Sequence, residues 1–210
     1  MEEGFVMYMT FRMMHGEMAR MPEAIELAVS ARDHLNSEHG ARYAVSMNVG
    51  GDPTALSLTS PWGDLADYEK VRAAVMTDPK LQSIVRMTSG LMSGTQDTIG
   101  QVLKAPSGRG AYAVVNTAMM HMPSVAEAVP FAVEVAEFVD TKLDGEVGVL
   151  SAVSGNRAGI MWLRYADSLA QAIEQGQTLE TDTGYLEFFK RSESLYVPGS
   201  LEQAFWQILP

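Results

Sequence analysis

Across 210 residues, 47% hydrophobic and 20% charged side chains supply enough apolar material for a buried core, which excludes a disordered or fibrous chain. Fifteen Lys and Arg stand against 26 Asp and Glu, and the net charge of −11 argues against nucleic acid and anionic membrane surfaces as partners. Cysteine is absent, which removes disulfides, thiolate nucleophiles and thiolate metal sites and fits a cytoplasmic location.

The opening Met1-Glu2-Glu3-Gly4 is acidic where a secretory signal would be basic, and no apolar run approaches the roughly 20 residues of a membrane helix. A soluble cytoplasmic protein is expected. Residues 5–14 then alternate Phe5, Met7, Met9, Phe11 and Met13 with Val6, Tyr8, Thr10, Arg12 and Met14, the period of a strand with one wholly apolar face. His15 closes it. Pro22 suits the first turn of a helix, where its missing N–H has no partner to lose. Ala24, Ala28, Ala31 and Leu35 recur at helical spacing, and Gly40 provides a left-handed cap. Strands are predicted over 42–49 and 55–60, joined by the Gly50-Gly51-Asp52-Pro53 turn. Asp64 caps a helix from Leu65, Asp78-Pro79 breaks it and starts another helical piece toward Leu91, and a last strand lies near 99–103. The order is β-α-β-β-α-β.

A turn-rich linker, Ala105-Pro106-Ser107-Gly108-Arg109-Gly110, precedes a second copy. Met13-Met14-His15 recurs as Met119-Met120-His121 at the end of a strand over 111–120. Ala24-Ile25-Glu26-Leu27-Ala28 recurs as Ala132-Val133-Glu134-Val135-Ala136, 108 positions later, and Pro130 is expected to open that helix as Pro22 opens its own. After a three-residue deletion Gly40 matches Gly145. Strands are predicted over 146–153, 159–165 and 205–209, with helices over 168–175 and 182–191. The one marked difference is the first loop: His15 precedes Pro22 by seven residues and His121 precedes Pro130 by nine, room for a lid or an extra turn.

One such unit covers a single face of its sheet with helices and leaves an apolar face bare, so two units are expected to pack sheet to sheet. The fold class is thus α+β, with repeats over 1–104 and 111–210 and a linker at 105–110. On this element order and hydrophobic pattern the chain resembles the dimeric α/β-barrel superfamily of ferredoxin-like domains, as a tandem fusion resembling its antibiotic-biosynthesis-type monooxygenase members and related proteins without assigned function. The resemblance implies a pocket between each sheet and its helices, lined by the first strand, and either a monomer that mimics a dimer or a homodimer of the tandem chain. Three functions stand side by side: holding a small, largely apolar ligand; cofactor-independent oxygenation or isomerisation with a histidine base; or a self-associating scaffold with no ligand.

His15 and His121 are the candidate bases, because a neutral imidazole can take a proton near neutral pH; as structural residues they would bond loop carbonyls. Arg12 and Tyr8 share a strand face, and Asn116 lies on the matching strand of the second copy. Arg12 would meet either a ligand oxygen or an acidic side chain. Trp162, Arg164 and Tyr165 cluster on one strand, Trp162 and Arg164 on the same face, as a wall for a planar ligand or as ordinary core. Haem-degrading members use an asparagine placed as Asn116 is, together with a histidine on the second helix, and neither 65–91 nor 168–191 contains one. His34 and His39 are five apart at a helix end, where charged imidazoles suit the helix dipole. No metal site is predicted, and with no phosphate-binding loop no cofactor is predicted either. The second pocket is the one expected to be well formed.

Overall fold

The structure, a computed structural model, describes residues 7–210. Phe5 and Val6 of the expected first strand, and the acidic opening tetrapeptide, lie outside the described residues. The chain forms two compact units, Met1–Gly100 with Ile208–Pro210, and Gln101–Gln207.

In the first unit β1 (Met7–Gly16) pairs antiparallel with β3 (Ala55–Trp62), from Tyr8 opposite Trp62 to His15 opposite Ala55, and β2 (Ala44–Asn48) pairs with the other edge of β3. β4 (Met92–Lys104) lies beside β1, giving the order β4-β1-β3-β2. Helices α1 (Met21–His39), α2 (Leu65–Thr77) and α3 (Pro79–Met87) cover one face. Their ends follow the sequence signals. Pro22 sits in the first turn of α1, Gly40 takes φ 64° and donates its N–H to Leu35 O, and Asp64 and Asp78 accept backbone N–H groups as caps of α2 and α3. The core joins Ala24, Ala28 and Leu35 of α1 to Val45, Leu56 and Leu58 of the sheet. Met14, on the helix-facing side of β1, packs into it.

α3 ends four residues before the expected Leu91, and β4 begins seven before the expected residue 99. Gly90, at φ 73°, turns the chain out of the helix. Ser93 to Asp97 are exposed polar residues, so this part of β4 carries none of the hydrophobic alternation by which a strand is read.

In the second unit β5 (Tyr112–Met119) lies between β7 (Gly159–Ala166) and β8 (Glu202–Ile208), and β6 (Gly148–Ala152) pairs with the far edge of β7. The order β8-β5-β7-β6 repeats that of the first unit. α4 (Val125–Asp140), α5 (Leu169–Glu180) and α6 (Thr183–Ser192) form the helical layer, with Ser168 and Asp182 as caps of α5 and α6. Gly176 lies inside α5, which runs past the expected end at Gln175 to bury Leu179.

The expectation that Pro130 opens its helix is corrected. Pro130 is the sixth residue of α4, which starts at Val125 after a 3-10 turn at Met122–Ser124. An interior proline leaves the Ala126 carbonyl without its helical donor and costs on the order of 3 kcal/mol. Burial of Ala128, Phe131, Ala132, Ala136 and Val139 along one face offsets that cost. The nine-residue spacing from His121 is thus filled by ordered turns and helix, not by a lid.

Candidate functional site

The cavity of the second unit lies between its sheet and its helices and has a volume of about 760 Å³. Its floor is the helix-facing side of the sheet: Asn116 and Ala118 of β5, Trp162 and Arg164 of β7, Gln203 of β8. Period-2 alternation puts these on one face, and the pairing of Asn116 with Trp162 and of Val114 with Arg164 sets them side by side. The roof is apolar, with Phe131, Val135 and Val139 from α4 and Tyr185 and Phe188 from α6.

Arg164 is 8% exposed. One of its terminal nitrogens donates to Gln175 Oε1 and the other to the Ala172 carbonyl at 3.0 Å. Among the described residues it makes no ion pair with a carboxylate. Burial lowers its pKa, a pull that nearby Tyr185 opposes. A guanidinium stays charged even so, and a buried cation without a counter-charge is an unstable arrangement that an anion would relieve.

Several other polar groups at the cavity are committed, and the side chains of Glu180 and Glu193 also stand on its lining. Trp162 Nε1 donates to Ala132 O at 2.9 Å and Tyr196 Oη to Ala128 O at 3.0 Å, so both rings hang from α4. Their planes meet edge to face at 5.8 Å. Burial pushes the Tyr196 and Tyr185 phenols up, so both are neutral donors at physiological pH. Asn116 Oδ1 accepts from Gln203 Nε2 at 3.0 Å.

Of the residues singled out in the sequence, the cavity brings together Asn116, Trp162 and Arg164. Tyr165, next along β7, points to the other side of the sheet and is not on the lining. His121 is also outside it: the backbone N–H donates to Leu195 O and the carbonyl accepts from Ser124 at the entry to α4. His15, Arg12 and Tyr8 belong to the first unit. His15 Nδ1 is 2.9 Å from Asp52 Oδ2, both half-exposed. Asp52 is held below its usual range mainly by Thr54, and also by His15. Arg12 makes a two-pronged bond to Asp97 of β4, 2.7 Å in each arm. Tyr8 packs on the first core. The sequence reading missed Phe131, Tyr185, Phe188 and Tyr196. The spacing of Phe131 with Ala128, Val135 and Val139 marks an inward helix face, whereas nothing local to Tyr196 signals its role.

No protein-family model matches the chain, and no curated protein matches it. Solved structures do. A protein of Fusobacterium nucleatum provisionally assigned as a monooxygenase superposes with a TM-score of 0.71 at 9% identity, over 99% of this chain and 94% of its own. An anthrone oxidase-like protein gives 0.71 at 13%, over 99% and 93%. The chain has the dimeric α/β-barrel fold, with both ferredoxin-like units in tandem. A further provisionally assigned monooxygenase with this fold, from Lactobacillus acidophilus, gives 0.69 at 9%, over 97% and 94%. The dimeric α/β-barrel resemblance also raises haem, through Asn116, and the residues present do not fit it: the cavity lining contains no histidine, cysteine or methionine to take the iron, and burial disfavours the phenolate form that Tyr185 or Tyr196 would need as a ligand.

Proposed function

We propose that the second unit holds a small, largely apolar and flat molecule whose acidic or strongly accepting oxygen faces Arg164. The observation that carries this reading is a buried guanidinium, without a carboxylate partner among the described residues, at the floor of a 760 Å³ apolar cavity. Trp162 and Phe131 supply faces for stacking, and Asn116 and Gln203 supply adaptable hydrogen bonds. Calorimetric titration with aromatic and polyketide-like carboxylic acids, each beside its methyl ester, tests it. The acids are expected to bind at least ~10-fold more tightly than the esters, a difference of about 1.4 kcal/mol, and Arg164→Met is expected to erase the preference. Equal binding of acid and ester, or binding of neither, overturns it.

A second reading is that the bound molecule is also turned over, by cofactor-independent oxygenation or isomerisation. It draws support from the likeness to the provisionally assigned monooxygenases and the anthrone oxidase-like protein. His121 and His15 are the bases proposed for it; since neither is on the cavity lining, turnover requires a ligand that extends past the lining to His121 or one seated beside His15 in the first unit. Turnover of any cavity ligand that survives alanine at both positions would remove them from the reaction.

A further inference from the structure

The end of α1 and the junction of α2 with α3 bring together three metal-ligating side chains remote in sequence from those lining the large cavity. His34 Nε2 lies 2.8 Å and His39 Nε2 3.0 Å from the same atom, Asp78 Oδ2. One ligand atom from each residue lies within 4.8 Å of the others. The side chains are 12%, 19% and 15% exposed, withdrawn from bulk water yet within reach of a hydrated ion. The carboxylate is oriented from behind, because Asp78 Oδ1 accepts the N–H groups of Lys80 and Leu81 and leaves Oδ2 to the imidazoles. In a continuous helix residues five apart lie about 140° apart around the axis. His39, however, is the last residue of α1, where Gly40 turns the chain, and its ring meets that of His34 edge to face at 5.7 Å.

We propose that His34, His39 and Asp78 bind one divalent transition-metal ion of the zinc class. A tetrahedral zinc with bonds of about 2.0–2.2 Å places its ligand atoms about 3.3–3.6 Å apart, so each His–Asp pair opens by about half an ångström while the two imidazole nitrogens, within 4.8 Å of each other, settle to the same spacing. Two imidazoles and a carboxylate suit zinc, cobalt or nickel better than magnesium or calcium, which take oxygen. For the ion to bind, the proton on each Nε2 leaves that nitrogen, moving to Nδ1 in a neutral imidazole or to solvent from a charged one, so that Nε2 offers its lone pair. Three protein ligands leave a fourth position for water or a small anion. His39 also lines a cleft of about 320 Å³ together with Arg42, Trp62 and Lys70, the last ion-paired with Asp67 of the same cleft.

Titration of the chelator-treated full chain with Co²⁺ tests the proposal. One Co²⁺ per chain is expected, with the visible ligand-field bands of a tetrahedral ion, displaced by one equivalent of Zn²⁺. His34→Gln and His39→Gln keep an amide N–H for Asp78, and Asp78→Asn keeps an oxygen to cap α3. Each is expected to weaken Co²⁺ binding at least tenfold while retaining the far-ultraviolet dichroism of the parent. Absence of Co²⁺ bands in the parent, or parental binding by the glutamine variants, overturns the site and leaves a hydrogen-bonded strut. If the variants do not fold, ¹⁵N shifts of the His34 and His39 ring nitrogens in the parent on adding Zn²⁺ decide: a change at both supports the site, and no change overturns it.

Discussion

At the scale of single residues, the two arginines on which sequence reading placed ligand contacts have opposite surroundings. Arg12 meets Asp97 in a two-pronged bond about half exposed to water. That bond, and the charge of Arg12, hold the Asp97 carboxyl below its ordinary value of 3.8. A carboxyl depressed by folding stabilises the native state above its unfolded pKa, and the stabilisation fades as pH falls from there through the folded value. Asp97→Asn is therefore expected to lose about 1 kcal/mol at pH 7, a figure kept small because solvent screens the pair, and to narrow its deficit against the parent below pH 4. Urea melts at pH 7 and pH 3 measure this, and an equal deficit at both would refute it. Arg164 is buried with no such partner, so Arg164→Met is expected to keep or raise the urea midpoint while abolishing the preference for acids. A merely structural Arg164 would give a lower midpoint instead. The charged and aromatic residues of β7 were legible as a wall because alternation fixes which of them share a face. His34, His39 and Asp78 were not legible as a cluster, because 44 and 39 positions separate the histidines from the aspartate and only the fold closes that distance.

At the scale of elements, capping chemistry was the most readable feature. Gly40 and Asp64 cap as the sequence indicates, and Asp78 and Asp182, read only as the starts of helical stretches, prove to be caps as well. Two signals misled. Pro130 is tolerated inside α4 because tertiary burial of that helix outweighs a local rule, and the start of β4 is polar on both faces. The linker shows a third kind of constraint. A Cβ on Gly110 would lie 2.3 Å from the carbonyl oxygen of Ala166 and 2.6 Å from its carbon, backbone atoms of β7 with no freedom to move aside. Gly110→Ala is expected to cost about 2–3 kcal/mol as β5 and β7 are forced apart. Gly63→Ala, where a Cβ meets nothing within 4 Å, is expected to be neutral within about 0.5 kcal/mol. Parallel denaturant melts of the two variants make the comparison, and equal effects would refute it.

At the scale of the whole chain, duplication was legible because an echoed tripeptide and a constant offset survive where identity has largely gone. What the echo preserves is chiefly the second methionine: Met14 packs into the first core and Met120 is buried in the second, while the adjoining histidines have separate surroundings. The halves differ where a ligand would sit. In the first unit Trp62 is buried beside Tyr43 and Tyr68, its ring centroid 5.8 and 5.5 Å from theirs, and its N–H is spent on Thr10. One ligand per chain is therefore the expected stoichiometry of acid binding, and a calorimetric value of two would refute the asymmetry. Which residues complete which unit was not legible, since no local pattern records it. Ile208–Pro210 count with the first unit, where Leu209 N–H donates to Val45 O and Arg32 bonds the carbonyls of Leu209 and Pro210. At a ribosomal rate of about 5–20 residues per second, synthesis of the intervening second unit delays those contacts by roughly 5–20 seconds. Within this chain the unit made earlier is thus the one completed last, and residues 208–210 set the moment at which its packing closes.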